Sequence, residues 1–195
     1  MLYACVYDKI LNGVQMDIKK GTHGTCLSRA EEIKKNGFKS SGKGRGGPGV
    51  YFWRGHDERA KILAIGWYKY RLYEQYYDTE KKQGLSVIYV LLKHENNEFL
   101  DLEKPTMKDK VEKLRISAGI SNIPNNSEIA LLWNRLVISI EKKIGQKFKI
   151  LALRCTTPPK EYVPNYPLNL LGLPICYIVR DSAIIEIVEE KDIKI

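Results

Sequence analysis

Apolar and polar positions change rhythm repeatedly along this 195-residue chain, dividing it into short strands and helices. A strand is expected to lead into Gly21-Thr22-His23. Ser28 stands where a cap belongs for a short helix over residues 29–35, and Asn36-Gly37 is the left-handed stop signal that ends it. Residues 40–49 read as a loop from their glycines, and residues 50–53 (Val-Tyr-Phe-Trp) as a compact strand. A helical pattern opens at Asp57 and runs to about residue 81, with Ala60, Leu63, Ala64, Trp67 and Tyr68 on one apolar face. Strands are predicted over 85–93 and 98–102, and helices over 106–117 and 127–143. The second of these helices is capped by Asn126 or Ser127 and buried through Ile129, Leu132, Trp133 and Leu136. Strands over 148–154, 175–179 and 184–188 complete the series. Residues 156–174 hold five prolines and read as an ordered, irregular connection. With no internal repeat and no shift of composition, the expectation is one mixed α+β domain over 1–195, built on a mostly antiparallel sheet.

Composition narrows the partners. The formal net charge of +9 favours polyanions such as RNA or DNA, although lysines spread over surface loops give the same sum. The densest basic run (Lys34, Lys35, Lys39, Lys43, Arg45) is either a phosphate-holding segment or a solvated loop. Cys5, Cys26, Cys155 and Cys176 have no paired spacing, so free thiols are expected and neither a disulfide framework nor a metal site is indicated. The first residues lack the basic-then-apolar order of a signal peptide, and no apolar run has membrane-spanning length. A cytoplasmic protein without membrane contact is the expectation.

The segment from His23 to Trp53 carries more. It reads His-Gly-Thr, a short helix with Ala30 and Ile33, Asn36-Gly37-Phe38, a glycine-rich loop, then Gly49-Val50-Tyr51-Phe52. This order resembles the poly(ADP-ribose) polymerase-like branch of the ADP-ribosyltransferases, which includes bacterial toxin and phage-defence members. The resemblance covers about 45 residues well and a carboxy-terminal strand less well. It implies the ADP-ribosyltransferase fold and an NAD cleft with NAD as co-substrate. Gly24 would let its backbone approach the nicotinamide carboxamide, where a Cβ would obstruct it. His23 would bond a ribose hydroxyl, and Tyr51 would stack on the nicotinamide ring. Thr25, Gly49 and Arg45 would border the same pocket, while Phe52 and Trp53 read as sheet core. A second stacking tyrosine in the polymerases falls at Ile62 here, so stacking is one-sided or another aromatic helps.

The family's carboxylate, which steadies the oxocarbenium-like centre left when nicotinamide departs, falls at Cys176 in Cys176-Tyr177-Ile178-Val179-Arg180-Asp181. A thiol without a neighbouring cation does little for developing positive charge. Three readings follow: a mono-ADP-ribosyltransferase, substitution by another carboxylate (Glu128 or Glu186), or NAD binding without turnover. The expected activity is mono-ADP-ribosyl transfer, a glycosyl transfer from NAD, to a macromolecular acceptor, with nucleic acid ahead of protein. A toxin or anti-phage defence effector with an antitoxin or immunity partner fits that reading. The alternative is a degenerate module that binds NAD, ADP-ribose or nucleic acid. Trp53, Trp67, Tyr68 and Tyr70 lie near the pocket but alternate as core residues do. His56 and Asp57 read as a helix-capping loop, and His94 as a solvated turn.

Overall fold

The segment Val50–Arg54, apolar except for its last residue, pairs on one edge over residues 50–53 and on the other over residues 53–54. In the computed structural model, which describes residues 15–40, 42, 44, 46–121 and 124–193, it is β2. The other strands are β1 (Met16–Cys26), β3 (Leu85–Glu95), β4 (Phe99–Asp101), β5 (Ile150–Arg154), β6 (Ile175–Val179) and β7 (Ile185–Ile193). Together they form a seven-stranded sheet in the order β4-β5-β6-β2-β1-β3-β7. Every pairing is antiparallel except β4 with β5. The mostly antiparallel α+β class expected from the sequence is what the chain adopts.

Helices cover both faces, and the alternation along each strand sorts the core between them. On one face lie α2 (Glu58–Tyr73) and, further along, α3 (Pro105–Ser117) and α4 (Asn126–Ile144), over Trp53, Val87, Tyr89, Leu153, Cys176 and Ile178. On the other, α1 (Leu27–Asn36) and Phe38 cover Phe52, Ile88, Val90 and Tyr177.

Helix boundaries differ from the sequence expectation in instructive places. Cys26, not Ser28, precedes α1; the Ser28 hydroxyl instead accepts from Lys82 N at 2.8 Å, tying α1 to the chain after α2. Helix α2 starts as expected on Asp57, whose carboxylate accepts from Ala60 N, but it stops at Tyr73 rather than near residue 81. Gln75 takes φ +60°, Gln75 N donates to Leu72 O and Tyr76 N to Arg71 O. This is a Schellman stop with glutamine where glycine is usual, so no glycine signalled it. Trp67 also leaves the expected apolar face: it is 36% exposed, while Ala60, Leu63, Ala64 and Tyr68 are buried. The helix is gripped from two sides. A Cβ on Gly24 would lie 2.1 Å from Ala64 O, and one on Gly66 would lie 2.9 Å from Tyr162 O.

Helix α4 is capped by Asn125 rather than by Asn126 or Ser127, with Oδ1 accepting from Ser127 N and Glu128 N. The Glu128 carboxylate in turn accepts from Asn125 N at 2.8 Å, closing a capping box. The proline-rich connection contains a 3₁₀ turn, Lys160–Tyr162, and α5 (Leu168–Leu171), and its Tyr162 and Val163 brace α2. His94 is not a solvated turn. Its strand continues to Glu95, it is 1% exposed, and its ring stacks on Phe99. No helix among the described residues is long and apolar enough to cross a membrane.

Candidate functional site

The ladder between β1 and β2 pairs Gly21 with Arg54 and Thr22 with Trp53, whereas β1 pairs with β3 along eleven residues. Past Thr22 the two strands therefore part, and a cleft of about 1600 Å³ opens at the fork. His23, Gly24 and Thr25 lie on one prong, Gly49 and Tyr51 on the other, and Cys176 on β6, the next strand beyond β2; all six line the cleft.

The fork turns β1 backbone toward the cleft. Gly55 N donates to Lys20 O across the seam. Antiparallel alternation directs the N–H and C=O of Thr22 and Gly24 to that same side. At Thr22 they meet β2; at Gly24 they face the opening. The glycine itself has a second reason to be there, since its missing Cβ is what lets the backbone of α2 approach at Ala64. Gly49 likewise lies against β6, where a Cβ would come within 2.7 Å of Ile178 Cγ2.

His23 is half-buried, with its ring edge-on to Phe38 and Phe52 and Nδ1 at 3.0 Å from Tyr51 O. Burial holds its pKa below the ordinary histidine value, against the Tyr51 carbonyl, so the imidazole is neutral near pH 7. Its side chain leaves the sheet on the α1 face, with Ile88 beside it. The Tyr51 side chain leaves on the opposite face, packed with the clusters that contain Cys176 and Ile178. The two prongs meet through the Tyr51 carbonyl and not ring to ring.

The Tyr51 hydroxyl donates to Gly47 O at 2.7 Å and accepts from Gly46 N at 3.0 Å. A Cβ on Gly44 would lie 2.2 Å from that hydroxyl, so the glycine-rich loop wraps the phenol closely. Burial pushes the Tyr51 pKa well up, which keeps it a neutral donor. Thr25 is 3% exposed, and burial raises the pKa of the Tyr77 phenol, which lines the same cleft, to about 12. Arg45 lies outside the described residues, as does Cys5.

Cys176 is 4% exposed, between Trp53 on β2 and Leu153 on β5. Burial, and then the neighbouring Cys155 thiol, raise its pKa, so it is a neutral thiol at the cleft floor. Neither alternative carboxylate comes to the cleft. Glu128 is committed to the α4 cap. Glu186 stands on the edge strand β7 in an ion pair with Lys93, with β3 and β1 between it and β2.

Two carboxylates that the sequence did not single out do line the cleft, Glu32 and Glu80. Glu80 is the more enclosed, with its side chain 23% exposed against 50% for Glu32, and it accepts from Arg29 Nε at 2.6 Å. Arg29, Arg71, Trp67, Tyr76 and Tyr77 line the same wall. No motif marks these residues, because the early end of α2 is what folds residues 74–82 back over α1. Among the described residues there is no group of three or more His, Cys, Asp or Glu able to hold a metal ion. Compared with known proteins, the chain matches no family model and no curated sequence.

Proposed function

We propose that the fork cleft binds NAD and transfers its ADP-ribosyl group singly to a macromolecular acceptor. The observation that carries this reading is the convergence of His23-Gly24, Tyr51 and Cys176, distant in sequence, on the neighbouring strands β1, β2 and β6 at one opening. A cleft of about 1600 Å³ exceeds the roughly 300–1,000 Å³ of small-ligand pockets and leaves room for a dinucleotide beside part of an acceptor. The Gly24 N–H and C=O supply a donor and an acceptor for the carboxamide, and neutral His23 a ribose contact. Since Cys176 is a neutral thiol, the carboxylate for the oxocarbenium-like centre is Glu80, positioned by Arg29. An effector role as toxin or defence protein, with an immunity partner, is compatible with this chemistry.

A second reading has its own support: with a buried thiol at the expected carboxylate position, the cleft holds NAD or ADP-ribose without turnover. Incubation with labelled NAD and total RNA, DNA and protein separates the two. Label transfer and nicotinamide release that vanish in His23→Ala, and fall about 100-fold or more in Glu80→Gln, support the transferase. Calorimetric NAD binding with no nicotinamide release from any acceptor leaves the binding module. Absence of both NAD and ADP-ribose binding by the folded protein refutes both.

A further inference from the structure

Where α2 ends, four flat groups follow one another along the cleft rim: Trp67, Arg71, Tyr76 and Arg29. The Arg71 guanidinium lies 5.7 Å from the Trp67 ring centroid and 3.9 Å from that of Tyr76, and Arg29 covers Tyr76 at 4.3 Å. Each guanidinium is steadied by a carboxylate, Arg71 by Glu74 at 2.5 Å and Arg29 by Glu80 at 2.6 Å. Tyr77, next in the chain, anchors the segment: it is 3% exposed and stacked on Tyr68 with 5.5 Å between centroids. Tyr76 remains 47% exposed and Trp67 36%. Tyr73, 76% exposed, extends the aromatic surface toward Tyr162, 6.1 Å away.

We propose that this rim is a stacking platform for single-stranded nucleic acid, whose bases stack on the exposed Trp67 ring while Tyr76 holds the two arginines that meet its phosphates. Planar rings interleaved with arginine suit a strand whose bases offer π-faces and whose phosphates seek guanidinium. A duplex hides those faces, so the platform selects single strands. The net charge of +9 favours a polyanion over a neutral or basic partner. Continuity points the same way, because Trp67, Arg71 and Tyr76 line the cleft that His23 and Tyr51 line. A base stacked on Trp67 is thereby presented toward the proposed NAD end. The strand's role as acceptor rests on the transferase reading; its binding does not.

The test is fluorescence anisotropy of the full chain with short labelled oligonucleotides of mixed sequence, as single-stranded RNA, single-stranded DNA and duplex. Single strands should bind more tightly than duplex. Tyr76→Ala and Trp67→Ala should each weaken them about 5- to 100-fold, with circular dichroism unchanged. Arg71→Gln should lower the salt dependence by roughly one counterion. Trp53 and Trp133 are buried at 8% exposure each, so quenching of tryptophan emission on binding should come from Trp67. Trp67→Phe should abolish most of that quench while keeping most of the affinity. Equal affinity for duplex, unchanged affinity in Tyr76→Ala, or equally tight binding of an acidic peptide would each overturn the platform. Calorimetry with NAD on the same protein keeps the two proposals apart: oligonucleotide binding without NAD binding sinks the transferase reading alone.

Discussion

Gly24→Ala tests whether the glycine beside His23 serves the fold as well as the ligand. The added Cβ would lie 2.1 Å from Ala64 O and 2.6 Å from Ala64 C, both backbone atoms of α2. An ordinary C···O contact is about 3.3 Å or more, so the helix must retreat by about 1 Å. It has nowhere easy to go, because at Gly66 its opposite side already sits against the Tyr162 carbonyl and Val163. Overpacking of this kind costs roughly 1–3 kcal/mol, and backbone held on both sides places this site at about 3. In a chain of this length that corresponds to a fall in Tm of roughly 6–12 °C. Thermal unfolding by circular dichroism measures it, with NAD calorimetry on the same samples well below the transition. A Tm within about a degree of the parent would refute the packing argument. Lost NAD affinity at unchanged stability would assign the glycine to the ligand instead.

The other expectations are smaller or more local. Gln75→Gly should raise stability by about 1 kcal/mol, because it relieves the left-handed conformation at φ +60°, and Tm should rise by roughly 2–4 °C; a fall would refute the Schellman assignment. Glu141 has its side chain 1% exposed and bonds Arg180 at 2.5 Å, Phe148 N at 2.9 Å and Lys147 at 3.0 Å. Burial raises its pKa, but these partners outweigh burial and hold it below the ordinary value. Its stabilisation is therefore complete above about pH 4.3, the unfolded value, and is lost as pH falls through the lower folded value. Glu141→Ala should cost about 3 kcal/mol near neutral pH, with the difference from the parent shrinking in acid; a pH-independent difference would contradict the assignment. Tyr51→Phe removes two bonds to the glycine-rich loop, at Gly46 N and Gly47 O, so amide exchange at Gly46 should quicken about tenfold while the fold persists; unchanged exchange would mean that the phenol does not hold the loop.

Much of the layout was legible in the sequence because local physics dictates it. The apolar run Val50-Tyr51-Phe52-Trp53 predicts a compact strand, Asp57 predicts the start of α2, and the stripe Ile129, Leu132, Trp133, Leu136 predicts the buried side of α4, where Ile129 is partly buried and the other three are buried. The order of His23-Gly24 and Gly49-Val50-Tyr51 also marks a site, and in the structure these residues line one cleft. What the sequence could not convey depends on which elements become neighbours. Gln75 ends α2 without a glycine, because burial of Tyr77 against Tyr68 favours the turn. That early stop brings Glu80 and Tyr76 beside Arg29, about fifty residues away in the chain. Glu128 and Glu186 carry the right chemistry for a transferase, but a helix cap holds one and a far sheet edge the other. Periodicity along a chain reports which face of an element meets the core. Only the packing of elements against each other decides which polar groups share an opening, and here it keeps Glu128 and Glu186 away from the cleft and leaves Glu32 and Glu80 lining it.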